Sequence, residues 1–186
     1  MTAMTNDSTN SAVGSVSAAD LATGEWVLDP AASSVGFRHK SLWGLVTIKG
    51  TFTKISGEGE IDAPGRGRGT LVIDAASVDT KKKRLDTHLR SADFFEVDKH
   101  PTFTFAADRI TVDGDGDARV SGVLTVRGKS HPLTFTTQVT AASTTDVTLT
   151  GEVEIDYKNF SMAWKNPGGT VRGLTTVTLK TRFTRA

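Results

Sequence analysis

From Pro101 onward, apolar residues recur at every second position in one run after another, and that period limits what the chain can fold into. Phe103, Phe105 and Ala107 share a face of the first run. Val120, Gly122, Leu124 and Val126 share a face of the next, and Arg127-Gly128-Lys129 turns it into Leu133, Phe135, Thr137 and Val139. Val147, Leu149, Gly151, Val153, Ile155 and Tyr157 alternate in a long strand, and Val171 to Phe183 repeats the pattern with Val177, Leu179 and Phe183. A strand points successive side chains to opposite faces, so each run has one apolar face to bury. Evenly spaced strands joined by short turns indicate an all-β barrel or sandwich.

The first half extends the pattern. Residues 1–23 are rich in Ser, Thr, Ala and Gly and read as a disordered tail; the domain is expected over 24–186. Gly24 to Asp29 is a short strand ended by Asp29-Pro30. In SSVGFRHK, Val35, Phe37 and His39 share one face, and Arg38 and Lys40 the other. An inward His39 is either a hydrogen-bonded core residue or a polar group presented to a ligand. Leu45 to Glu60 reads as one long strand whose glycines mark bulging or coiling, with Val46, Ile48, Gly50 and Phe52 alternating against Leu45, Thr47, Lys49 and Thr51. APGRGRG reads as a turn and Thr70 to Val78 as the next strand. The inward rows mix bulky residues with Gly122, Thr137 and Gly151, an apolar interior lean in volume that suits a cavity.

One segment breaks the alternation. Residues 80–95 carry helical spacing, with Asp79 or Thr80 placed to cap it. Leu85 and Leu89 form an i, i+4 pair that packs inward, and Arg84 and His88 form a second pair on an adjoining face. Asp86 and Arg90 are spaced for an intrahelical ion pair, while Lys81 to Lys83 read as a solvated face. Asp93-Phe94-Phe95 returns the chain to the core.

Most familiar chemistries find no pattern. With 0 cysteines there is no disulfide, thiol nucleophile or Cys metal site. His39, His88, His100 and His131 fall at no metal-ligand spacing, and no GxSxG nucleophile elbow occurs. Asp113, Asp115 and Asp117 have calcium-loop spacing, but Ala118 and Leu124 stand where Gly and Glu are needed, so they read as an acidic hairpin tip. The glycines of APGRGRG precede no helix and no phosphate-loop lysine. A net charge of +1, with Phe residues on inward faces, argues against nucleic acid. No apolar run is long enough for a transmembrane helix, and the N-terminus lacks the pattern of a secretory signal; the expected location is the cytoplasm, with secretion by another route left open.

Three segments in order carry a resemblance: WVLDPAASSVGFRHK, RxDxHLRSxDFFEVDKHPxFTF from Arg84, and GVLTVRGKSHPLTF from Gly122. Together they resemble the YceI-like family over about Gly24 to Arg185; in DYKNFSM, Lys158 and Ser161 depart from the family's usual turn. The resemblance implies a lipocalin-like antiparallel β-barrel of about eight strands with a helical insertion at its mouth. It also implies non-enzymatic binding, transport or storage of a polyisoprenoid or other long-chain amphiphile, tail in the barrel and head group at the helix. No cofactor is required on this reading, but a bound isoprenoid lipid is expected. An enzyme acting on such a lipid and a stress-response interaction module are the alternatives. Arg38, His39, Arg84, His88 and Arg90 are the candidate head-group residues, with Arg90 alternatively a structural partner of Asp86. Phe37, Val46, Ile48, Phe52, Phe94, Phe103, Phe105, Leu124, Phe135, Ile155 and Val177 are the candidate tail contacts. Two barrels meeting at their mouths could share one tail, which leaves a homodimer open.

Overall fold

The computed structural model describes residues 21–41, 46–162 and 173–186. The expected Leu45 and Val171 strand starts lie outside these residues, as do residues 1–20 of the expected tail. The alternating runs become β1 (Gly24–Leu28), β2 (Ser34–Ser41), β3 (Val46–Phe52), β4 (Ile55–Ala63), β5 (Arg66–Asp74) and β6 (Val78–Asp79) before the helix, α1 (Lys83–Arg90). β7 (Thr102–Val112), β8 (Asp117–Val126), β9 (Lys129–Ala142), β10 (Asp146–Asp156) and β11 (Leu174–Arg185) follow it.

The sheet closes on itself. Its order runs β1-β4-β5-β7-β8-β9-β10-β11, and β11 pairs back onto β1, giving an antiparallel barrel of eight wall positions. The two remaining long strands extend two of those positions. β2 continues β1 after a corner, and β3 precedes β4 in the same way, so β11 pairs with β1 at Phe183 to Arg185 and with β2 at Thr175 to Lys180. The corner is held by polar groups. Asp29 Oδ1 accepts from Ala31 N, Asp29 N donates to the Arg182 carbonyl, and Arg182 N donates to Ser33 Oγ. Trp26 Nε1 donates to the Ala22 carbonyl and Leu21 is buried, so packing begins ahead of Gly24.

The stretch expected as one long strand from Leu45 to Glu60 breaks at Thr53-Lys54 rather than at a glycine. The break is stabilised from outside the strand: Thr53 N donates to the Ser77 carbonyl and Lys54 N to Ser77 Oγ. Gly50 serves another purpose, since a Cβ there would lie 2.5 Å from Phe37 Cζ. APGRGRG is mostly strand, not turn. Gly65 (φ 69) makes the reversal, and Arg68 turns outward to Glu60 and Arg66 to Asp62 while the intervening glycines sit close against β4. The run from Thr70 ends as a strand at Asp74, and a 3-10 turn at Ala75–Ser77 separates it from β6. Tyr157 belongs to a 3-10 turn, Tyr157–Phe160, capped by Asp156, and not to the strand. The turn expected at Arg127-Gly128-Lys129 is made by its first two residues, with φ of 52 and 70, the left-handed pair that hairpins favour, and Lys129 already opens β9. At the acidic tip, Asp113 Oδ1 accepts from the amides of Asp115 and Asp117.

Gly122 shows how tightly the wall is built. It faces a bulge between Ala107 and Arg109, and a Cβ on it would lie 2.1 Å from the Ala106 carbonyl oxygen. Neither backbone can yield without breaking ladder bonds. Gly122→Ala is therefore expected to destabilise the fold by about 1–3 kcal/mol, the range for forced overpacking, read as a lowered urea midpoint at unchanged slope.

Candidate ligand-binding site

The inward faces do not fill the barrel. Two apolar chambers lie along it, one of about 160 Å³ at the helix end and one of about 130 Å³ at the far end. Phe105, Phe135, Leu71 and Leu179 line both, so they form a waist between them. The two phenylalanine rings meet there with centroids 5.5 Å apart. A site for one water needs about 10–15 Å³, so each chamber has room for several groups of that size.

The helix-end chamber is rimmed by aromatic contacts. Phe37 meets Phe52 at 5.6 Å, Phe52 meets Phe95 at 6.1 Å, and Phe95 meets Phe94 at 5.1 Å. Phe94 meets Tyr157 at 6.1 Å, and Tyr157 meets His39 edge-on at 5.3 Å. Phe37 and His39 are inward neighbours on β2, which completes the circuit. Such pairs contribute roughly 0.5–1.5 kcal/mol each beyond burial, so the belt fixes the chamber's shape.

The helix is positioned by side-chain bonds to backbone. Leu89 is buried and Leu85 half-buried, as their spacing requires. The expected cap is not used: α1 begins at Lys83, with Lys82 at the N-cap making no side-chain cap bond. Asp86 takes the Thr80 groups instead, its Oδ1 accepting from Thr80 N at 2.8 Å and Thr80 Oγ1 at 2.6 Å. The expected Asp86–Arg90 ion pair therefore does not form. Arg90 Nε donates to the Ala76 carbonyl and Nη2 to the Val78 carbonyl. The helix also stops at Arg90 rather than near residue 95, and the loop after it is fastened by Arg127. That guanidinium donates to the carbonyls of Ala92 and Ser161 at 2.8 Å each and pairs with Glu96. The hydrogen bond from Lys99 above all holds the Glu96 carboxyl below the usual carboxylate range; burial opposes it, and Arg127 adds to the lowering. Ser161 (φ 56) adopts the left-handed conformation usual for glycine, at the position where the sequence leaves the family's turn pattern.

The expected site residues divide sharply. Ten of the eleven tail candidates line the helix-end chamber; Val46 does not. Val46 shares the inward parity of Ile48 but sits at the end of β3 and is exposed. Of the head-group candidates, His39 lines the chamber. Arg38 does not: it points outward and pairs with Glu152. Arg90 is committed to two carbonyls, and Arg84 and His88 are exposed on the helix outside the chamber linings. Sequence reading missed Tyr157 and Thr175 as polar lining groups, and the separate far chamber walled by Trp26, Val147 and Phe183. Their alternation was visible, but their height along the barrel was not.

His39 is 6% exposed. Its Nδ1 lies 3.1 Å from the Leu174 carbonyl oxygen and 3.2 Å from Thr175 Oγ1. Burial pushes its pKa below the ordinary 6.5, outweighing the hydrogen bond to Leu174 that raises it. No group of three or more metal-ligating side chains occurs among the described residues.

A closed antiparallel barrel around an apolar lumen, with a helical segment at one end, defines a lipocalin-like barrel. The chain belongs to the YceI-like family: the family model, described as the YceI-like domain, matches residues 26–183. A UPF0312 protein of Vibrio cholerae is 32% identical over 122 residues, 63% of this chain and 64% of that protein. A UPF0312 protein of Ectopseudomonas mendocina is 37% identical over 101 residues, 53% of this chain and 52% of that one. The chain thus spans less than two thirds of the length of these curated relatives. Among solved structures, BcnA of Burkholderia cenocepacia superposes with a TM-score of 0.73 at 24% identity, over 83% of this chain and 98% of that chain. A polyisoprenoid binding domain from Saccharophagus degradans superposes at 0.66 and 20% identity, over 87% of this chain and 98% of that chain.

The lowered pKa of His39 has a consequence for stability. The unfolded chain binds a proton at His39 at higher pH than the native state does, so stability is full above the ordinary value of 6.5 and declines as pH falls through it. The melting temperature is expected to drop between about pH 7 and pH 5, and His39→Phe to remove that part of the drop. Carboxylates such as Glu96 act at lower pH.

Proposed function

We propose that this protein binds a long-chain amphiphile, a polyisoprenoid, without chemical conversion, holding the tail in the two-chamber lumen and the head group at the helix end. The observation that carries this reading is the lining. In the helix-end chamber the polar side chains among the described lining residues are His39, Tyr157 and Thr175; the rest are apolar. Each methylene moved from water into such a lining contributes about 0.8 kcal/mol, so a tail of prenyl or acyl length binds without polar contacts. Family membership and the polyisoprenoid binding domain from Saccharophagus degradans support the same ligand class. Storage or transport both follow from such binding, and the aromatic belt suits a tail whose branched methyls pack against ring faces.

Native mass spectrometry of the purified protein tests this, before and after organic extraction and again after incubation with geranylgeraniol. The expected result is a bound mass that extraction removes and the added lipid restores, with the lipid recovered at unchanged mass. A barrel that purifies empty and takes up no lipid would refute the reading. A lipid recovered with altered mass would replace it with an enzyme.

A further inference from the structure

The helix-end chamber holds a hydrogen-bond acceptor that the protein itself leaves unused. Nδ1 of His39 faces the Leu174 carbonyl oxygen, which can only accept, so Nδ1 carries the ring proton. The Thr175 hydroxyl accepts from the same nitrogen. Burial keeps the ring neutral. A neutral imidazole has one N–H, so Nε2 is a bare lone pair, and it is buried without a hydrogen-bond partner. Nε2 is also the ring nitrogen farther from the backbone, on a side chain that β2 directs inward among the residues that line the chamber; the wall covers it in this structure, so a donor reaches it when the His39 and Tyr157 rings part. Native structures rarely leave a buried acceptor unpaired, because the loss of hydration is not recovered.

We infer that His39 Nε2 is the polar anchor of the lumen and accepts a hydrogen bond from an un-ionised donor on the ligand's head group: an alcohol, a phenol or an amide N–H. The inference rests on the lipid-binding reading and narrows it. Quinone carbonyls and ionised diphosphate oxygens only accept, and they offer nothing to a bare lone pair. A diphosphate would also surrender its hydration, since Tyr157 and Thr175 are the other polar side chains among the described lining residues. With the head at His39, the tail runs past the Phe105–Phe135 waist into the far chamber.

Geranylgeraniol and its methyl ether share a tail and differ in the donor hydrogen, so they make the test. Their affinities are compared on the full-length protein after lipid extraction, by titration calorimetry. The wild type is expected to bind the alcohol about tenfold more tightly than the ether, as one neutral hydrogen bond to a buried acceptor implies. His39→Phe is expected to bind the two equally, and the exposed pair Arg84→Ala with His88→Ala to keep the preference. Equal binding of both lipids by the wild type overturns the inference and leaves the lipid site standing. A preference that survives in His39→Phe overturns it too. Uptake of neither lipid by the wild type overturns the function as well. Should His39→Phe not fold, nitrogen NMR of the wild type decides: the Nε2 resonance moves on alcohol binding and not on ether binding, and an unmoved resonance refutes the anchor.

Discussion

Closure of the backbone ladder between β1 and β11 is the constraint on which the rest of this structure depends. The partners Trp26 with Arg185 and Leu28 with Phe183 turn a twisted sheet into a closed wall. A closed wall has an inside, and the inward rows decide what that inside is. Here they alternate bulky side chains with glycine and threonine, and the close contacts at Gly50 and Gly122 show that the small residues let rings and backbone approach. The outcome is a lumen with a waist. The corner at Asp29 to Ser33 lets β11 pair with both β1 and β2, so the barrel closes at the far end and still extends to the helix.

What lies across the helix end is held by polar side chains turned towards backbone. Arg90 and Arg127 together bond four carbonyl groups, those of Ala76, Val78, Ala92 and Ser161. Asp86 satisfies the Thr80 amide and hydroxyl. Irregular chain crossing a barrel end has backbone groups that no ladder can pair, and long charged side chains can reach them. A cluster that reads as a head-group site in the sequence is therefore partly scaffold. The polar group left over is the one buried among aromatics, His39.

The two-residue period made faces legible, which is why Phe103, Phe105, Leu124, Phe135, Ile155 and Val177 could be placed on the lumen from sequence. Period alone does not tell where along the barrel a residue sits. Val46 has the right parity at the wrong height, and the far chamber went unseen for the same reason. The helix start and the Asp86–Arg90 pairing failed differently. Spacing shows which side chains can meet within a helix, but partners outside it, Thr80 and two carbonyls, compete for them. The Gly-Arg repeat read as a turn because its glycines are turn formers in isolation; cross-strand contact with β4 makes them strand.

The pairing of β11 also orders events in time. It bonds to β10, β2 and β1, yet it is the last barrel strand to leave the ribosome. Until Leu174 to Arg185 emerge, no lumen exists, and the rows that will line it face water or one another. Contacts such as Trp26 with Arg185 join residues from opposite ends of the domain, which favours slow, late folding. During synthesis the chain thus carries its apolar lining as an exposed, aggregation-prone face on the side that later becomes the interior.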